Sequence, residues 1–291
     1  MRTVLAYLAF PLIFGGSITA TWLGLSLELH GSVVVFTVSV SAALLVTLLE
    51  RLVPFKAAWA EDHGDVPTDV VYAVSSLIAA PRIFDALALA ALLPLAGSLS
   101  WGVVAWPSHW AWGFQLVLAI IVGEFCSYWW HRQLHRWPPL FRFHATHHSA
   151  PRLYWLNATR FHPLDSIPLY ALHLVPLTLI GVGEPVLVGF TVWSLVHGFF
   201  QHANVELRLG PLNYFFSMAE LHRWHHSRNL SEADRNFGSN CIVWDLVFGT
   251  FYWPRERTPP SDIGLNGLPD FPQTLGAQLL SPFRWPTGRR S

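Results

Sequence analysis

Charged residues are scarce in this chain, and lysine is almost absent. Only 12% of the 291 residues are charged, about half the roughly 25% of a soluble globular chain, and Lys56 is the only lysine. The formal net charge is zero, so no basic surplus indicates a nucleic-acid partner. Two cysteines cannot form a disulfide framework, and neither Cys126 nor Cys241 lies in a CxxC zinc motif. These shortages argue against an ordinary soluble domain and against nucleic-acid binding.

Apolar residues are abundant instead, at 52% of the chain, and they form long runs. A helix needs about 20 predominantly apolar residues to cross a bilayer. The run over 69–99 is interrupted at Pro81 and Arg82, which leaves open one kinked helix or two half-length helices. The run over 167–205 breaks at 181–185, as a hairpin that dips into or crosses the membrane would. The others cover 4–29, 32–49 and 109–130. The sequence predicts an all-α integral membrane protein with about four transmembrane helices and this further hairpin.

The distribution of positive charge predicts the orientation in the membrane. With the N-terminus placed in the cytoplasm, the outer connections 30–31, 100–108 and 181–185 contain no Lys or Arg. Of the 18 Lys and Arg residues, all but Arg82 fall on the cytoplasmic side. Because cytoplasmic loops carry the excess of Lys and Arg, we expect a multi-pass protein with both termini in the cytoplasm, in the inner membrane if the cell is bacterial. We divide the chain into a transmembrane region (1–130), a region rich in histidine (131–253) and an irregular tail (254–291).

Three histidine boxes stand in the second half of the chain, on the predicted cytoplasmic side. They are His131-Arg-Gln-Leu-His135, His144-Ala-Thr-His147-His148 and His222-Arg-Trp-His225-His226. Residues at i, i+3 and i+4 of a helix share one face. We therefore expect the histidines of each box to converge on one point. Neutral imidazole suits Zn, Cu, Fe and Ni, and eight histidines exceed the four to six ligands that one metal takes. The boxes predict two metal ions.

The ordered set of motifs resembles the fatty acid hydroxylase/sterol desaturase superfamily of membrane di-iron oxygenases. The resemblance covers about residues 124–253. Its motifs are Tyr128 to His135, Phe141 to Ser149, Asn157-Ala-Thr-Arg-Phe-His162-Pro, Gln201-His202-Ala-Asn204, His222 to Ser227, Asn236-Phe-Gly, and Trp244 to Thr250. Two positions depart from the pattern: Glu124 stands where Asp is expected, and Ser217-Met-Ala replaces an approach to the third box that usually contains Pro.

The resemblance implies a cytoplasmic helical cap that holds two iron ions above four transmembrane helices. Zinc is expected as a replacement in purified protein. By position, the implied metal ligands are His131, His135, His144, His147, His148, His162, His202, His222, His225 and His226. It leaves open whether His197 is also a ligand. Beyond these ligands we assign no catalytic side chain.

The resemblance also implies the reaction: O2 and external electrons are used to hydroxylate or desaturate an unactivated C–H bond of a fatty acyl, sterol-like or related lipid. The lipid comes from the bilayer. The electrons come from a ferredoxin, a cytochrome b5-like protein or a reductase, because the chain carries no haem, flavin or iron–sulfur motif of its own.

Metal-bound imidazoles usually donate their second N–H to a carboxylate or a carbonyl. Several acidic and amide residues flank the histidines in sequence. The candidates for this supporting role are Asp165, Asp245, Glu124 and Asn204.

Other functions remain open at the level of sequence. A membrane zinc hydrolase is one alternative, although no HExxH motif supplies its usual general base. A bis-histidine haem cytochrome needs histidine pairs within transmembrane helices, whereas most histidines here lie outside the predicted spans. A metal transporter needs ionisable residues along a membrane path, and the predicted spans are nearly free of them. A non-enzymatic metal-binding membrane protein is the last alternative. The sequence does not identify the lipid, the carbon attacked, the electron donor or the oligomeric state. It also does not distinguish hydroxylation from desaturation.

Overall fold

The computed structural model describes residues 2–83 and 106–285, and within these ranges the regular structure is helical, without any extended strand. In chain order the helices are α1 (Arg2–Ser26), α2 (Gly31–Leu52), α3 (Val66–Val74), α4 (Trp112–Arg136), α5 (Pro138–His148), α6 (Pro163–Leu179), α7 (Glu184–His202), α8 (Ala219–His225), α9 (Leu230–Ala233), α10 (Val243–Phe248) and α11 (Leu275–Leu280). Short 3₁₀ turns cover Ala57–Ala60, Trp155–Thr159, Gly210–Tyr214 and Ser281–Arg284.

Three of the described helices are long and apolar enough to cross a membrane. They are α1, α2 and α4, with mean hydropathies of 1.6, 2.4 and 1.3. Their outward faces carry large apolar side chains such as Leu12, Phe36 and Phe114, each about two-thirds exposed or more. A continuous apolar surface of this kind suits lipid rather than water. The prediction of a helical membrane protein is confirmed at this level.

The helices pack into one bundle around α7. Helices α1 and α2 bury Phe10 and Val46 against Phe200 of α7. On the other side, α4 and α6 bury Ile120 and Leu177 against Phe190 of the same helix. Helix α7 is therefore held on two sides, and it ends at His202, beside α8. We call the segments 53–65, 137–162 and 203–285, which lie outside the long helices, the cap.

Glycine permits the closest helix contacts in this bundle. A Cβ at Gly123 of α4 would lie 2.7 Å from the Phe190 ring, and one at Gly189 of α7 would lie 2.6 Å from the Trp112 ring. Small residues allow helices to approach closely inside a membrane, where close packing is the main driving force for association. These two positions fix the distance between α4 and α7.

The α6–α7 hairpin turns where the sequence predicts a break. Helix α6 ends at Leu179, Gly181 adopts φ +84°, and α7 begins at Glu184 with Pro185 in its first turn. A left-handed backbone at position 181 explains the glycine. Whether the hairpin crosses the membrane remains a prediction, because neither helix is among the three candidate spans.

Two other predicted regions differ from the structure. In the run 69–99, α3 passes into a π-helical turn at Ser75–Ala79, and the residues from 84 to 99 lie outside the described range. The structure therefore does not test whether this run forms one kinked helix or two half-length helices. In the tail, predicted as irregular, α11 and the turn Ser281–Arg284 form a helical segment.

Buried acidic residues tie the cap to the helices. The Glu50 carboxylate at the end of α2 accepts hydrogen bonds from the backbone N–H groups of Trp155 (2.8 Å) and Asn204 (2.9 Å). Asp69 of α3 accepts from the Tyr154 hydroxyl at 2.7 Å and pairs with Arg160. These contacts hold the 150–160 segment, which lies between the second histidine box and His162, against α2 and α3.

Candidate metal centre

Nine buried or nearly buried histidines form two groups at the top of the bundle. Within each group, one nitrogen from every ring lies within 4.8 Å of the others. We call the first the five-histidine group: His131, His135, His144, His148 and His225. We call the second the four-histidine group: His147, His202, His222 and His226. The groups adjoin, since the His148 and His226 rings stack at 4.4 Å between centroids.

Each HxxHH box divides between the two groups, which corrects the expectation that its histidines meet at one point. His144 and His148 belong to the five-histidine group, whereas His147 belongs to the other. In the third box the division is reversed: His225 belongs to the five-histidine group, whereas His222 and His226 belong to the four-histidine group. The reason is helical geometry: positions i+3 and i+4 lie about 100° apart, on either side of position i. Each box can therefore bridge two adjacent sites.

Nitrogen atoms within each group approach one another at ligand spacing. Nε2 of His131 lies 3.1 Å from Nε2 of His144. In the four-histidine group, Nε2 of His222 lies 3.0 Å from both His202 Nε2 and His226 Nε2. Two nitrogens bound at right angles to one metal, at about 2.1 Å, would be about 3.0 Å apart. The observed spacing is the one that a shared metal ion requires.

Protein acceptors hold the opposite edge of several rings. Nδ1 of His131 donates to the Phe237 carbonyl at 2.7 Å, and Nδ1 of His144 donates to Asp165 at 2.8 Å. Nδ1 of His225 donates to the Arg235 carbonyl at 2.8 Å, and His202 Nδ1 donates to the Asn157 side-chain oxygen at 2.9 Å. Such bonds fix the tautomer and leave the lone pair of Nε2 for a metal.

Six of the grouped histidines, which lie outside the long apolar helices, have a lowered pKa and so favour the neutral form of the ring. Burial, followed by the proximity of other imidazoles, lowers the pKa of His147, His148 and His226 well below 6.5. The same two causes lower the pKa of His144, His222 and His225 well below 6.5. A neutral imidazole is the form that binds a metal. The sites are therefore ready to accept cations without first releasing protons.

Buried nitrogen atoms without partners show that the residues fit metal ions. The Nε2 atoms of His135, His148 and His225, all in the five-histidine group, have no hydrogen-bond partner among the described residues. Leaving one buried polar atom unsatisfied costs about 1–3 kcal/mol. Three such atoms directed to one group are accounted for by a bound cation. Nine imidazoles and no carboxylate favour a borderline transition metal such as iron or zinc over Mg²⁺ or Ca²⁺.

His162 lies outside both groups. It caps the start of α6, where its Nδ1 accepts from the Leu164 N–H at 3.1 Å and its Nε2 contacts the Leu279 carbonyl at 3.2 Å. Its ring packs on Phe143. The structure thus brings together nine of the ten histidines that the resemblance implies, and engages both nitrogens of the tenth elsewhere.

His197 is also outside the groups, although it lies on α7 only five positions before His202. It is fully buried, and its ring stacks on Trp193 and meets Phe10 edge to face. Both of its nitrogens lack a hydrogen-bond partner among the described residues. Five residues along a helix correspond to a rotation of about 140°, so its ring faces the core of α1 and α7 instead of the cap.

The four supporting residues predicted from the sequence differ in what they contact. Asp165 bonds His144 directly. Asp245 accepts from the N–H groups of Phe237 (2.8 Å) and Gly238 (2.7 Å), and so fixes the turn whose carbonyl meets His131. Glu124 accepts from the Asn240 N–H at 3.0 Å instead of touching a grouped histidine.

Asn204 and several other residues define the remaining support. The Asn204 side chain bridges the backbone N–H and carbonyl of Lys56, at 3.0 Å each. Sequence reasoning missed Asn157 and the carbonyls of Arg235 and Phe237. Asn157 lies in the family motif that ends at His162 and Pro163, and its amide side chain was the one feature that could have indicated a hydrogen bond to a histidine. A backbone carbonyl leaves no signal in side-chain identity at all.

A cavity of about 370 Å³ opens onto both groups. Its wall includes His131 and His144 of the five-histidine group and His147 and His222 of the four-histidine group. Beyond the histidines it is mainly apolar, and its volume lies within the roughly 300–1,000 Å³ of small-molecule sites. Its apolar lining comes from α2, the π-helical turn after α3, α6 and α7, and it includes Val35, Leu77, Leu169, Leu195 and Phe199. An apolar chain in this cavity would lie beside both histidine groups.

Comparisons with known proteins agree with this geometry. The family model for fatty acid hydroxylase matches residues 116–250, which contain all nine grouped histidines. The ornithine lipid hydroxylase of Rhizobium tropici is 34% identical over 283 residues, which are 95% of this chain and 83% of that protein.

More distant relatives share only the histidine-bearing half. The alkylglycerol monooxygenase of Homo sapiens is 31% identical over 152 residues, 52% of this chain and 33% of the relative. The methylsterol monooxygenase 1 of Rattus norvegicus is 26% identical over 144 residues, 48% of each chain. No solved structure matches the chain.

Proposed function

The chain belongs to the fatty acid hydroxylase family of oxidoreductases, and from that premise we propose that it is a di-iron monooxygenase that hydroxylates a membrane lipid. The observation that carries the proposal is the pair of adjacent all-histidine groups opening onto one apolar cavity. The five-histidine group would hold one iron and the four-histidine group the other. When bound, the two ions supply the redox chemistry with O2 that no amino-acid side chain can perform.

The protein itself contributes position and exclusion of water. Asp165, Asn157 and the Phe237 carbonyl hold three ligand rings in one orientation before any substrate arrives. The apolar wall formed by Leu169, Leu195 and Phe199 keeps an aliphatic chain beside the histidines and away from bulk water. Such pre-organisation is what a reaction at an unactivated C–H bond needs from its protein.

We propose hydroxylation of an amino-acid-containing lipid as the first reaction to test. The relative that aligns with almost the whole chain is named as a hydroxylase of ornithine lipids, and the others are named as monooxygenases. These names favour oxygen insertion over desaturation. They also favour a lipid that enters from the bilayer, and the apolar lining of the cavity suits its hydrocarbon chain.

We further propose that the cap with its histidines faces the cytoplasm and receives electrons from a separate protein. The excess of Arg on the cap side supports the orientation. The absence of any haem, flavin or iron–sulfur motif in the sequence supports an external donor such as a ferredoxin, a cytochrome b5-like protein or a reductase.

The test is lipid analysis in cells supplied with isotopically labelled O2. The gene is expressed in a bacterial host that makes ornithine lipids, and the membrane lipids are compared by mass spectrometry. We expect a new lipid that carries one labelled oxygen atom, and its absence from cells that express His147→Ala at the same membrane level. Unlabelled oxygen in the product, or lipid cleavage in place of oxidation, would contradict the proposal and favour a metal hydrolase.

A further inference from the structure

The polar groups of the cavity wall are not equivalent. Several hydroxyls are already used within the protein: Ser76 donates to the Thr159 carbonyl at 2.9 Å, Thr159 to Leu156 at 2.8 Å, and Thr191 to Leu187 at 2.9 Å. The Ser194 hydroxyl, His173 Nε2 and Asp165 Oδ1 are enclosed by protein atoms, without a hydrogen-bond partner among the described residues. The side-chain amides of Gln201 and Asn240 differ, because each is anchored through its nitrogen and neither of their oxygens is among these enclosed atoms.

Gln201 is anchored by its nitrogen. Nε2 donates to the Ser217 hydroxyl at 3.2 Å and to the Gly238 carbonyl at 3.3 Å. A carbonyl only accepts, so the Gly238 contact fixes which end of the amide is nitrogen. The side chain is 8% exposed and lines the cavity. Its remaining end is therefore the oxygen Oε1, a hydrogen-bond acceptor.

Asn240 is also anchored by the nitrogen of its side-chain amide. Its Nδ2 and its backbone N–H both donate to the Glu124 carboxylate, the backbone bond at 3.0 Å. Glu124 is fully buried in α4 and also accepts from the Cys241 N–H at 3.2 Å. A carboxylate that accepts three bonds holds the amide nitrogen toward α4. Asn240 is 3% exposed and lines the cavity, and Oδ1 is its remaining end.

Both amides lie at the metal end of the cavity. Gln201 directly precedes His202 of the four-histidine group. Asn240 follows Phe237, whose carbonyl accepts from His131 of the five-histidine group. The apolar wall at Leu195 lies about 9 Å from Gln201 along the α7 axis. One end of the cavity thus carries two acceptors and the metal sites, and the other end carries hydrocarbon.

We infer that Gln201 and Asn240 form an acceptor subsite that binds a hydrogen-bond-donating group of the lipid, an amine or a hydroxyl, beside the metals. This inference rests on the proposed function and specifies the substrate class. A plain hydrocarbon at this end would leave two buried carbonyl oxygens unpaired. The lipid therefore enters with its chain toward Leu169, Leu195 and Phe199, and the C–H bond attacked lies a few bonds from its polar group. Glu124 positions Asn240 and does not contact the lipid.

The experiment compares two probes that carry a hydrogen-bond donor, one neutral and one cationic at neutral pH, with an ether that carries none. Metal-loaded full-length protein in detergent is titrated with labelled hexadecanol, hexadecylamine and hexadecyl methyl ether. The alcohol and the amine donate, whereas the ether has no donor. We expect both donors to bind roughly tenfold more tightly than the ether, because a buried acceptor left unpaired loses about one hydrogen bond of affinity. Equal affinities for the three probes in the wild-type protein would overturn the inference.

A matched set of variants assigns the preference to the subsite. Gln201→Met preserves length and removes the oxygen, and it should reduce the ratio of ether to alcohol dissociation constants toward one. Gln273→Met makes the same change outside the cavity and should keep the wild-type ratio. An unchanged ratio in Gln201→Met would exclude this residue as the acceptor.

A second measurement tests the direction of the lipid. With paramagnetic Mn²⁺ in the metal sites, nuclear relaxation is compared for hexadecanol labelled at its first carbon or at its terminal methyl. We expect stronger broadening at the first carbon, and the opposite result would overturn the proposed direction. Neither binding measurement depends on turnover. If labelled oxygen enters a lipid in cells while the probes show no preference, this inference fails and the proposed function stands.

Discussion

His147 and His148 are adjacent in the sequence, yet their imidazoles belong to different histidine groups. Their ring planes are nearly perpendicular, at 82°, with centroids 5.5 Å apart. His148 contributes to the five-histidine group, and His147 to the four-histidine group. The third box repeats this arrangement with His225 and His226. The two short helices α5 and α8, with His226 at the end of α8, thereby contribute rings to both histidine groups.

The division predicts that single substitutions empty the sites separately. The wild-type protein should hold about two metal ions per chain, iron in the working enzyme and zinc after overexpression without sufficient iron, since zinc stands above Fe²⁺ in the affinity order. His147→Ala removes one of four ligands from its group, and His148→Ala removes one of five from the other. We expect each variant to lose most of one metal equivalent, measured by elemental mass spectrometry on purified protein.

His63→Ala is the control for these two variants. Its exposed ring hydrogen-bonds to the Ala58 carbonyl and lies outside both histidine groups, so metal content should equal that of the wild type. A stoichiometry of one or less in well-folded wild-type protein would refute the dinuclear site.

We expect Asp165 to be nearly as important for metal binding and activity as a histidine ligand. It is fully buried and accepts the His144 Nδ1–H at 2.8 Å. Loss of such a partner typically reduces metal affinity or activity by roughly 10–100-fold. We expect a loss of that size for Asp165→Ala in lipid hydroxylation normalised to membrane protein. Asp270→Ala, at an exposed position in the C-terminal segment, should leave turnover within about twofold of wild type. Equal activities of the two variants would mean that the His144 contact does not support the metal site.

His197 and His202 provide a contrast on one helix. His197 packs among Phe10, Trp193 and Phe216, and replacing an unsatisfied buried polar group by an apolar one of similar shape can be neutral or stabilising. His197→Phe should therefore retain metal and have an equal or higher melting temperature. His202→Phe should lose metal from the four-histidine group. Loss of metal in His197→Phe would show that this ring acts on the metal sites despite its position.

The sequence predicted the parts of this centre that depend on side-chain identity. The three boxes, the implied His202 and the supporting Asp165 are all recognisable because histidine and aspartate appear at telling positions. The division of the boxes was less accessible, since it depends on how α5 and α8 face one another across the cap. That relation arises from tertiary packing, which the identities of the side chains do not reveal.

The membrane segments show the same contrast between composition and geometry. Apolar length located α1, α2 and α4 within a few residues, because a bilayer imposes a length on a helix. The hairpin break at Gly181 followed from a local glycine and proline signal. His162 differs from what the resemblance implies. Its place in a family motif implied a metal ligand, whereas in the structure it lies outside both histidine groups and caps the start of α6.

A buried ion pair in the cap should contribute much more stability than an exposed one. Arg152 makes a bidentate contact with Asp65, at 2.9 Å through each of two nitrogens, and also donates to the Trp59 carbonyl. Burial raises the pKa of Asp65, but the hydrogen bonds and charge of Arg152 outweigh it and hold the pKa below 3.8. Because the folded pKa is depressed, this stabilisation is present at neutral pH and is lost as the pH falls below about 4.

Arg152→Met should therefore destabilise the protein by about 3 kcal/mol, since it leaves the Asp65 carboxylate buried without its partner. The matched control is Arg208→Met, which breaks the pair with the exposed Glu206 and should change stability by less than about 1 kcal/mol. Thermal unfolding of both variants in the same detergent measures the difference. Similar melting temperatures for the two variants would show that the Arg152 pair does not anchor the cap.

The membrane orientation is tested by reporter fusions at three described positions. Leu29 lies in the short turn between α1 and α2, Val182 in the turn between α6 and α7, and Pro254 after the last histidine-bearing segment. The turns at 30–31 and 181–185 contain no Lys or Arg, whereas the cap is rich in Arg, and positive residues favour the cytoplasmic side. We expect an alkaline phosphatase reporter, which is active only outside the cytoplasm, to be active after Leu29 and inactive after Pro254. Activity after Val182 would show that α6 crosses the membrane, and inactivity there would show a hairpin that only dips into it. Activity after Pro254 would place the histidine groups on the outer side, away from cytoplasmic electron donors, and would exclude the proposed electron supply.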